Sequence, residues 1–249
     1  MKKLFNPAVI CFALSLAACG GGGGGDDGNG SGSSGGAQAG GQPQTPNAQK
    51  LASTAQVIDY YGDSTIWGWQ TQTDGAQVAV PAPAAFAAAL PATPAHTVNN
   101  LGVNGQTACE LLAGTNGFDD WATRMDAATA TTVVILNHGI NDAVSANSVP
   151  VNQYRTCLTG LAQAAKAENK RVIFETPNPI SDTRLGPYIQ AMREVAAQEG
   201  LSVIDQYAYL TDQYGQDASI IAPDGLHPTD EIYRVKGAYA ASEFLKLDK

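Results

Sequence analysis

The sequence predicts an α/β fold: one domain with a central parallel sheet of about five strands and helices covering both faces. From residue 54 onward, short apolar runs typical of strands alternate with longer amphipathic stretches typical of helices. The run 131–136 is continuous and rich in β-branched residues, as expected for a strand that is buried on both faces. These patterns together indicate parallel strands joined by crossover helices.

Each element follows from the pattern in chain order. Strands are predicted at 55–61, 97–101, 132–137, 171–175 and 202–205. Helices are predicted at 151–169, 184–199 and 229–247. Thr229 is the expected N-cap of the last helix, and Glu231 lies in its first turn. The Ala- and Pro-rich stretch 76–94 predicts a short helix with extended flanks.

The first fifty residues differ in composition from the rest of the chain. Lys2 and Lys3 precede a short apolar run at 5–18, which has the length of a secretion signal rather than of a membrane-spanning helix. Residues 19–50 are rich in Gly, Ser and Gln, a composition that cannot form a core and is typical of flexible tethers. We therefore expect a signal peptide at 1–18, a tether at 19–50 and one folded domain at 51–249.

The leader ends in Leu16, Ala17, Ala18 and Cys19, which resembles the lipobox of bacterial lipoproteins. In that family the leader is cut before the cysteine, which then carries several acyl chains, more than stable membrane anchoring requires. The resemblance implies lipidation of Cys19. Because Gly20 rather than Asp follows, it also implies a lipid-anchored protein of the bacterial cell envelope, sorted to the outer membrane. An ordinary secretory signal that contains a cysteine is the alternative.

The chain is acidic, with a formal charge of −9. Without Lys2 and Lys3 it has 12 Lys and Arg residues against 23 Asp and Glu residues, or −11. An acidic surface repels phosphate backbones, so no nucleic-acid partner is expected. No spacing of Cys, His and Asp is typical of a metal site, and no Gly-rich loop has a phosphate-binding context. Neither a metal nor a cofactor is therefore expected.

Cys109 and Cys157 are the two cysteines that remain if Cys11 leaves with the leader and Cys19 is acylated. An even pair in an oxidising compartment predicts a disulfide between them. Two buried thiols are the alternative, because spacing alone does not establish the geometry that a disulfide needs.

Candidate chemistry follows the predicted strands, where ligands bind in open parallel sheets. After the first strand, Gly62, Asp63 and Ser64 would place a serine at a strand-to-helix turn, with its amide at the helix N-terminus. Taken alone, this tripeptide is better explained as a helix cap provided by Asp63 or Ser64.

Two further loops offer hydrogen-bond donors. Gly102 and Gly105 follow the second strand in a loop that leads into a helix, with a backbone amide near the helix start. Asn141 follows the third strand, where a side-chain amide can donate to an oxyanion. Each loop by itself is also explained by ordinary turn chemistry.

The last segment pairs an acid with a histidine. Asp224 lies three residues before His227, with Gly between them and Pro after. The carboxylate can fix the imidazole tautomer through Nδ1 and leave Nε2 to accept the proton of a serine. Of the three histidines in the chain, only His227 has an acid at this spacing.

Together these segments resemble the SGNH, or GDSL-type, hydrolase family. The matching blocks are 62–64, 100–105, 139–142 and 224–228. The extension to Trp67, Gly68 and Trp69 is similar to the arylesterase and acyltransferase members, although Thr65 and Ile66 reverse the residue types that many members have. The resemblance begins near residue 56 and reaches the end of the chain, which makes 51–249 the hydrolase domain.

The resemblance implies a three-layer α/β/α fold like that of flavodoxin and a serine-based acyl transfer. Ser64 would be the nucleophile, His227 its base and Asp224 the group that orients the base. The oxyanion hole would consist of the amides of Ser64 and Gly105 and the side chain of Asn141. Gly102 is the second choice for the glycine.

The expected activity is hydrolysis of short esters, above all acetyl esters on envelope or environmental carbohydrate, by a monomer. The partner is then a small ester or an acylated carbohydrate. A lysophospholipase or thioesterase acting on longer acyl chains is one alternative, and a non-catalytic polysaccharide-binding lipoprotein is another.

Four aromatic residues have no assigned role at this stage. Trp67 and Trp69 either stack on a sugar or aryl group or pack into the core, and packing is the more common role of aromatics at a helix start. His138 is expected to be structural, and His96 has no partner that the sequence identifies.

Overall fold

The computed structural model describes residues 53–70, 75–115, 117–215 and 217–247. The signal peptide, the lipidated Cys19 and the tether, predicted for residues 1–50, lie outside the described residues. In the part of the chain that is described, no helix is both long and apolar enough to span a bilayer.

The described residues form five strands and ten α-helices, with one 3-10 helix at Thr183–Leu185. The strands are β1 (Val57–Gly62), β2 (Thr97–Gly102), β3 (Val133–Asn137), β4 (Arg171–Glu175) and β5 (Ser202–Ile204). The helices are α1 (Ser64–Trp67), α2 (Ala82–Ala89), α3 (Ala108–Ala113), α4 (Trp121–Ala127), α5 (Ile140–Val144), α6 (Val151–Ala167), α7 (Gly186–Glu199), α8 (Gln206–Tyr214), α9 (Ala218–Ile221) and α10 (Asp230–Phe244).

All strand pairs are parallel, and the sheet has the order β2-β1-β3-β4-β5. This is the order of flavodoxin-like doubly wound sheets, so the predicted fold class is confirmed. Gly62 at the end of β1 pairs with Gly102 of β2 and with Asn137 of β3. The three strands therefore end level, and the loops that follow them leave the sheet side by side.

The sheet is buried on both faces, because alternate side chains of β3 enter two separate cores. Val134 and Leu136 join the larger core, which is formed with α3, α4, α6 and α7. Val133 and Ile135 join the second core, formed with α2 and α10. The continuous apolar run that predicted a doubly buried strand therefore has apolar partners on each side.

The predicted strands and long helices agree with the observed ones to within a few residues. The helices that the sequence did not predict are α4, α5, α8 and α9. Three of them are only seven, five and four residues long, which is too short for an apolar period of 3.6 residues to be visible. The stretch 76–94 contains one helix, α2, which packs closely against α10 at Gly237.

A disulfide joins Cys109 of α3 to Cys157 of α6, with the two Cα atoms 5.1 Å apart. It ties together two helices on the same face of the sheet. One of them, α3, begins just after the loop that carries Gly105.

Candidate active site

Ser64 lies in a tight turn between β1 and α1. Asp63 caps α1, and its Oδ1 accepts hydrogen bonds from the backbone amide and the hydroxyl of Thr65, each 2.8 Å long. A Cβ on Gly62 would lie 2.3 Å from a side-chain carbon of Ile66 and 2.7 Å from the carbonyl oxygen of Asn137. Glycine at position 62 therefore allows the helix to turn sharply back on the strand, with Ser64 as its first residue.

The structure brings Ser64, His227 and Asp224 into one hydrogen-bonded chain. Ser64 Oγ lies 2.9 Å from Nε2 of His227, and Nδ1 of His227 lies 2.7 Å from Oδ2 of Asp224. Ser64 is 6% exposed, and the side chains of His227 and Asp224 are 16% and 24% exposed. The hydroxyl can therefore pass its proton to Nε2 while the carboxylate holds the other ring nitrogen.

The loop before α10 fixes the carboxylate of Asp224. Its Oδ1 accepts the backbone amides of Leu226 at 2.9 Å and His227 at 2.7 Å, which leaves Oδ2 for the imidazole. Gly225 makes this turn possible with φ of 85°. Burial raises the pKa of Asp224, but the hydrogen bonds from His227 and Leu226 outweigh it and hold the pKa below its usual value. The carboxylate is thus ionised when it orients the base.

The candidate oxyanion donors follow three neighbouring strands. Ser64 comes two residues after β1, Gly105 three residues after β2 and Asn141 four residues after β3. Among the described residues, the amides of Ser64 and Gly105 have no hydrogen-bond acceptor. The side-chain amide of Asn141 makes only a long contact of 3.4 Å to the carbonyl of Gln106. All three groups therefore have capacity to donate to a substrate oxygen.

The two glycines after β2 differ in their surroundings. The amide of Gly102 donates to Oδ1 of Asn100 at 3.1 Å, and a Cβ on Gly102 would lie 2.3 Å from the backbone nitrogen of Trp67. Gly105 has φ of 77°, and a Cβ there would meet nothing within 4 Å. Gly102 thus holds the loop against α1, and these contacts favour Gly105 as the oxyanion glycine.

Replacing Asn141 with alanine is expected to lower kcat for p-nitrophenyl acetate by about 10²–10³, because one donor to the developing oxyanion is lost. KM should change little, since the donor acts mainly in the transition state. Steady-state kinetics of the purified variants measure both constants. Asn147→Ala is the matched control, because Asn147 is exposed and its side chain bonds only Glu110 among the described residues. An Asn141 variant with unchanged kcat would remove Asn141 from the oxyanion hole.

Trp69 contacts the base, a role that the sequence did not predict. Its ring stacks on the His227 ring, with the centroids 5.8 Å apart and the planes at 29°. The hydroxyl of Tyr233 donates to the Trp69 carbonyl at 2.8 Å and so holds this segment against α10. Trp67 lies beside Trp69, with the ring centroids 6.1 Å apart.

The other two histidines have no contact with Ser64 or Asp224 in the described structure. His138 is fully buried, its Nε2 lies 3.4 Å from Oε1 of Gln106, and burial lowers its pKa to about 3. It therefore acts as a neutral core residue, as expected. The ring of His96 meets the edge of Phe244.

The buried ionisable side chains near the site include Asp63, Glu175 and Lys236, and the sequence analysis missed Glu175 and Lys236. Burial raises the pKa of Asp63 and of Glu175, and burial lowers the pKa of Lys236. The attraction between Lys236 and each carboxylate opposes all of these shifts. Lys236 falls on the face of α10 that also carries Ile232 and Tyr233, so a lysine within an apolar stripe was the available signal.

Two cavities lie near the loop before α10, and none of the triad residues lines either of them. One, of about 420 Å³, is lined by Gln70, Tyr214, Ile220 and residues 229–232. The other, of about 410 Å³, is lined by residues 180–183, 185–186, 207 and 217–218. Within the described residues, no group of three or more His, Cys, Asp or Glu side chains is placed to hold a metal ion.

Residues 60–235 match the sequence model of the GDSL-like lipase/acylhydrolase family. The matched segment includes the triad, both glycines and Asn141. A comparison with curated protein sequences gave no significant match.

Several solved structures share the fold. A lipase/acylhydrolase from Enterococcus faecalis is 24% identical with a TM-score of 0.62, covering 77% of this chain and 96% of that chain. An acetylxylan esterase from Geobacillus stearothermophilus is 20% identical with a TM-score of 0.61, covering 80% and 96%. A carbohydrate acetylesterase from Sinorhizobium meliloti is 16% identical with a TM-score of 0.58, covering 77% and 99%.

Proposed function

The chain belongs to the GDSL-like lipase/acylhydrolase family, and from that premise we propose that it is a serine esterase that works through an acyl-enzyme. The observation that carries the proposal is the continuous hydrogen-bonded chain from Ser64 Oγ through His227 to Asp224. A serine that only capped a helix would have no need of an imidazole at 2.9 Å whose other nitrogen is held by a carboxylate.

In the proposed mechanism, Ser64 Oγ attacks the ester carbonyl while Nε2 of His227 takes the hydroxyl proton. The carbonyl oxygen becomes an oxyanion, which the amides of Ser64 and Gly105 and the side chain of Asn141 stabilise. His227 returns the proton to the leaving alkoxide as the carbon–oxygen bond breaks. Water then attacks the acyl-enzyme with His227 as base, and the acid is released with Ser64 restored. Asp224 remains an anion throughout and stabilises the imidazolium.

We propose short acyl groups, above all acetyl groups on carbohydrate, as the substrate class. The structural relatives that support this choice include an acetylxylan esterase and a carbohydrate acetylesterase. The two cavities near the loop before α10 are lined largely by polar side chains, and no triad residue lines either of them. A lysophospholipase or thioesterase that takes long chains is the competing function.

A series of p-nitrophenyl esters with increasing acyl length tests the substrate class. We expect kcat/KM to fall steeply beyond about four carbons, because a site for acetyl groups would offer a longer chain little apolar surface to bury. Acetylated xylan should release acetate in a parallel assay. A maximum at eight or more carbons, about the length of a medium fatty acyl chain, would favour the long-chain function instead.

The non-catalytic alternative has its own test. A fluorophosphonate probe should label Ser64, because only an activated serine hydroxyl reacts with it. A protein that binds acetylated polysaccharide but neither reacts with the probe nor releases acetate would be a binding protein on a hydrolase fold.

A further inference from the structure

Lys236 is a fully buried lysine whose role the triad chemistry leaves unexplained. It lies on α10 with 0% of its surface exposed, and its Nζ donates to Oδ1 of Asn178 at 3.0 Å. Lysine is almost never fully buried unless it is paired, because desolvation of the ammonium group is costly. The cost of burying Lys236 therefore suggests that its ammonium group holds other residues in place.

Asn178 continues the contact to the loop of the base. Its Nδ2 donates to the carbonyl oxygens of Leu226 at 3.2 Å and Pro179 at 3.1 Å. Leu226 is the residue directly before His227. A short chain of hydrogen bonds thus runs from the ammonium of Lys236, through the amide of Asn178, to the backbone adjoining the catalytic base.

The charge of Lys236 also interacts with two buried carboxylates on the side of the nucleophile. Lys236 is attracted by Glu175 at the end of β4 and by Asp63, which caps the helix that begins with Ser64. The hydroxyl of Tyr60 and the side-chain amide of Asn137 donate to Glu175. Oδ2 of Asp63 has no hydrogen-bond partner among the described residues, so the buried carboxylate is compensated by the two bonds that Thr65 makes to Oδ1 and, after them, by the charge of Lys236.

We propose that Lys236 and Asn178 are positioning residues. They hold the loop of His227 in place relative to α1, the helix that begins with Ser64. Carboxylates on the nucleophile side attract the lysine charge, and its ammonium donates to Asn178, which bonds the loop of the base. Loss of the link would let the imidazole drift from the hydroxyl, and a displacement of about 1 Å can cost on the order of 10² in rate. This inference rests on the proposed function, since it concerns how the same triad is aligned.

A purely structural role for Lys236 would be to neutralise buried carboxylates, so the test must separate alignment from stability. The ratio of kcat/KM for ethyl acetate to that for p-nitrophenyl acetate does so. Ethoxide needs a proton from His227 to leave, whereas p-nitrophenoxide is a good leaving group without one. Because kcat/KM reports the acylation step and both values scale with the amount of folded enzyme, their ratio is independent of that amount.

Two variants break the link at different points. Asn178→Asp keeps an acceptor for Lys236 and removes the donor to the Leu226 carbonyl. Lys236→Met with Glu175→Gln removes the ammonium together with one of the carboxylates that it compensates, which limits the loss of stability. In both variants we expect the ratio of kcat/KM for ethyl acetate to kcat/KM for p-nitrophenyl acetate to fall about tenfold or more.

Lys170→Met is the matched control. Lys170 is also a buried lysine, with Nζ donating to the carbonyl of Ala128, but it lies just before β4, at the amino ends of the strands rather than at the carboxyl ends where the site lies. Its loss should lower stability and leave the ratio unchanged. A wild-type ratio in Asn178→Asp and in the double variant would overturn the inference, whatever their total activity. Wild-type protein inactive on both esters would instead refute the proposed function.

Discussion

Replacing Ser64 with alanine is expected to lower kcat for p-nitrophenyl acetate by on the order of 10⁴–10⁶, the loss that follows removal of a triad nucleophile. Without the hydroxyl no acyl-enzyme can form. The remaining rate would come from water attacking an ester that is still held by the oxyanion donors. The methyl group of alanine fits the site, because the serine side chain is buried and only its oxygen atom is removed. The variant should therefore fold and unfold like the parent protein.

Steady-state hydrolysis and fluorophosphonate labelling measure the effect independently. Ser242→Ala is the control, since Ser242 is exposed on α10 and bonds only the Tyr239 carbonyl among the described residues. It should keep full activity and full labelling. If the Ser64 variant hydrolysed the ester at the parent rate, another nucleophile would have to be sought, and peptide mapping of the labelled protein would locate it.

The sheet could be predicted because its signals are local. The apolar run of β3 and the similar runs of β4 and β5 are long enough to identify strands, and the amphipathic pattern of α6 and α7 identifies their crossovers. The strand order was implied only by the resemblance to a flavodoxin-like fold, because no local pattern shows which strands are neighbours. The short helices were not predicted. For example, α9 has only four residues and is specified by its cap at Asp217 rather than by periodicity.

Within the site, the sequence predicted only the residues that belong to recognisable motifs. The roles of Ser64, Asp224 and His227 were implied by the resemblance of four motifs to the SGNH family, because the serine motif alone is better explained as a helix cap. The stacking of Trp69 on His227 could not be predicted, because it depends on how the chain returns after α1 towards α10. The hydrogen bond from Asn178 to Leu226 joins residues 48 positions apart, which no local pattern indicates.

The buried charges show why tertiary context matters for the chemistry. Asp63 was considered only as a helix cap, which it is, yet its second oxygen lies in the core without a hydrogen-bond partner among the described residues. Its counter-charge, Lys236, is 173 positions later in the numbering of the chain. Only the packing of α10 brings the two close enough to interact.

Replacing Asp224 with asparagine is expected to lower kcat by on the order of 10⁴, the second large effect. Oδ1 of Asp224 accepts two backbone amides, so the asparagine should place its carbonyl oxygen there. Its NH₂ group must then face Nδ1 of His227. A donor at that position selects the tautomer that carries hydrogen on Nε2, which cannot accept the proton of Ser64.

Asp224→Ala distinguishes this tautomer effect from simple loss of the carboxylate. Alanine offers no donor to Nδ1, so the imidazole can still adopt the active tautomer part of the time, and we expect a smaller loss than with asparagine. Asp212→Asn, on the exposed side of α8, controls for the change in net charge. Intact-mass measurement during the assay must show that the new Asn-Gly sequence has not deamidated back to the acid. Equal rates for the parent and the asparagine variant would mean that Asp224 holds the loop and not the tautomer, because its backbone contacts survive the substitution.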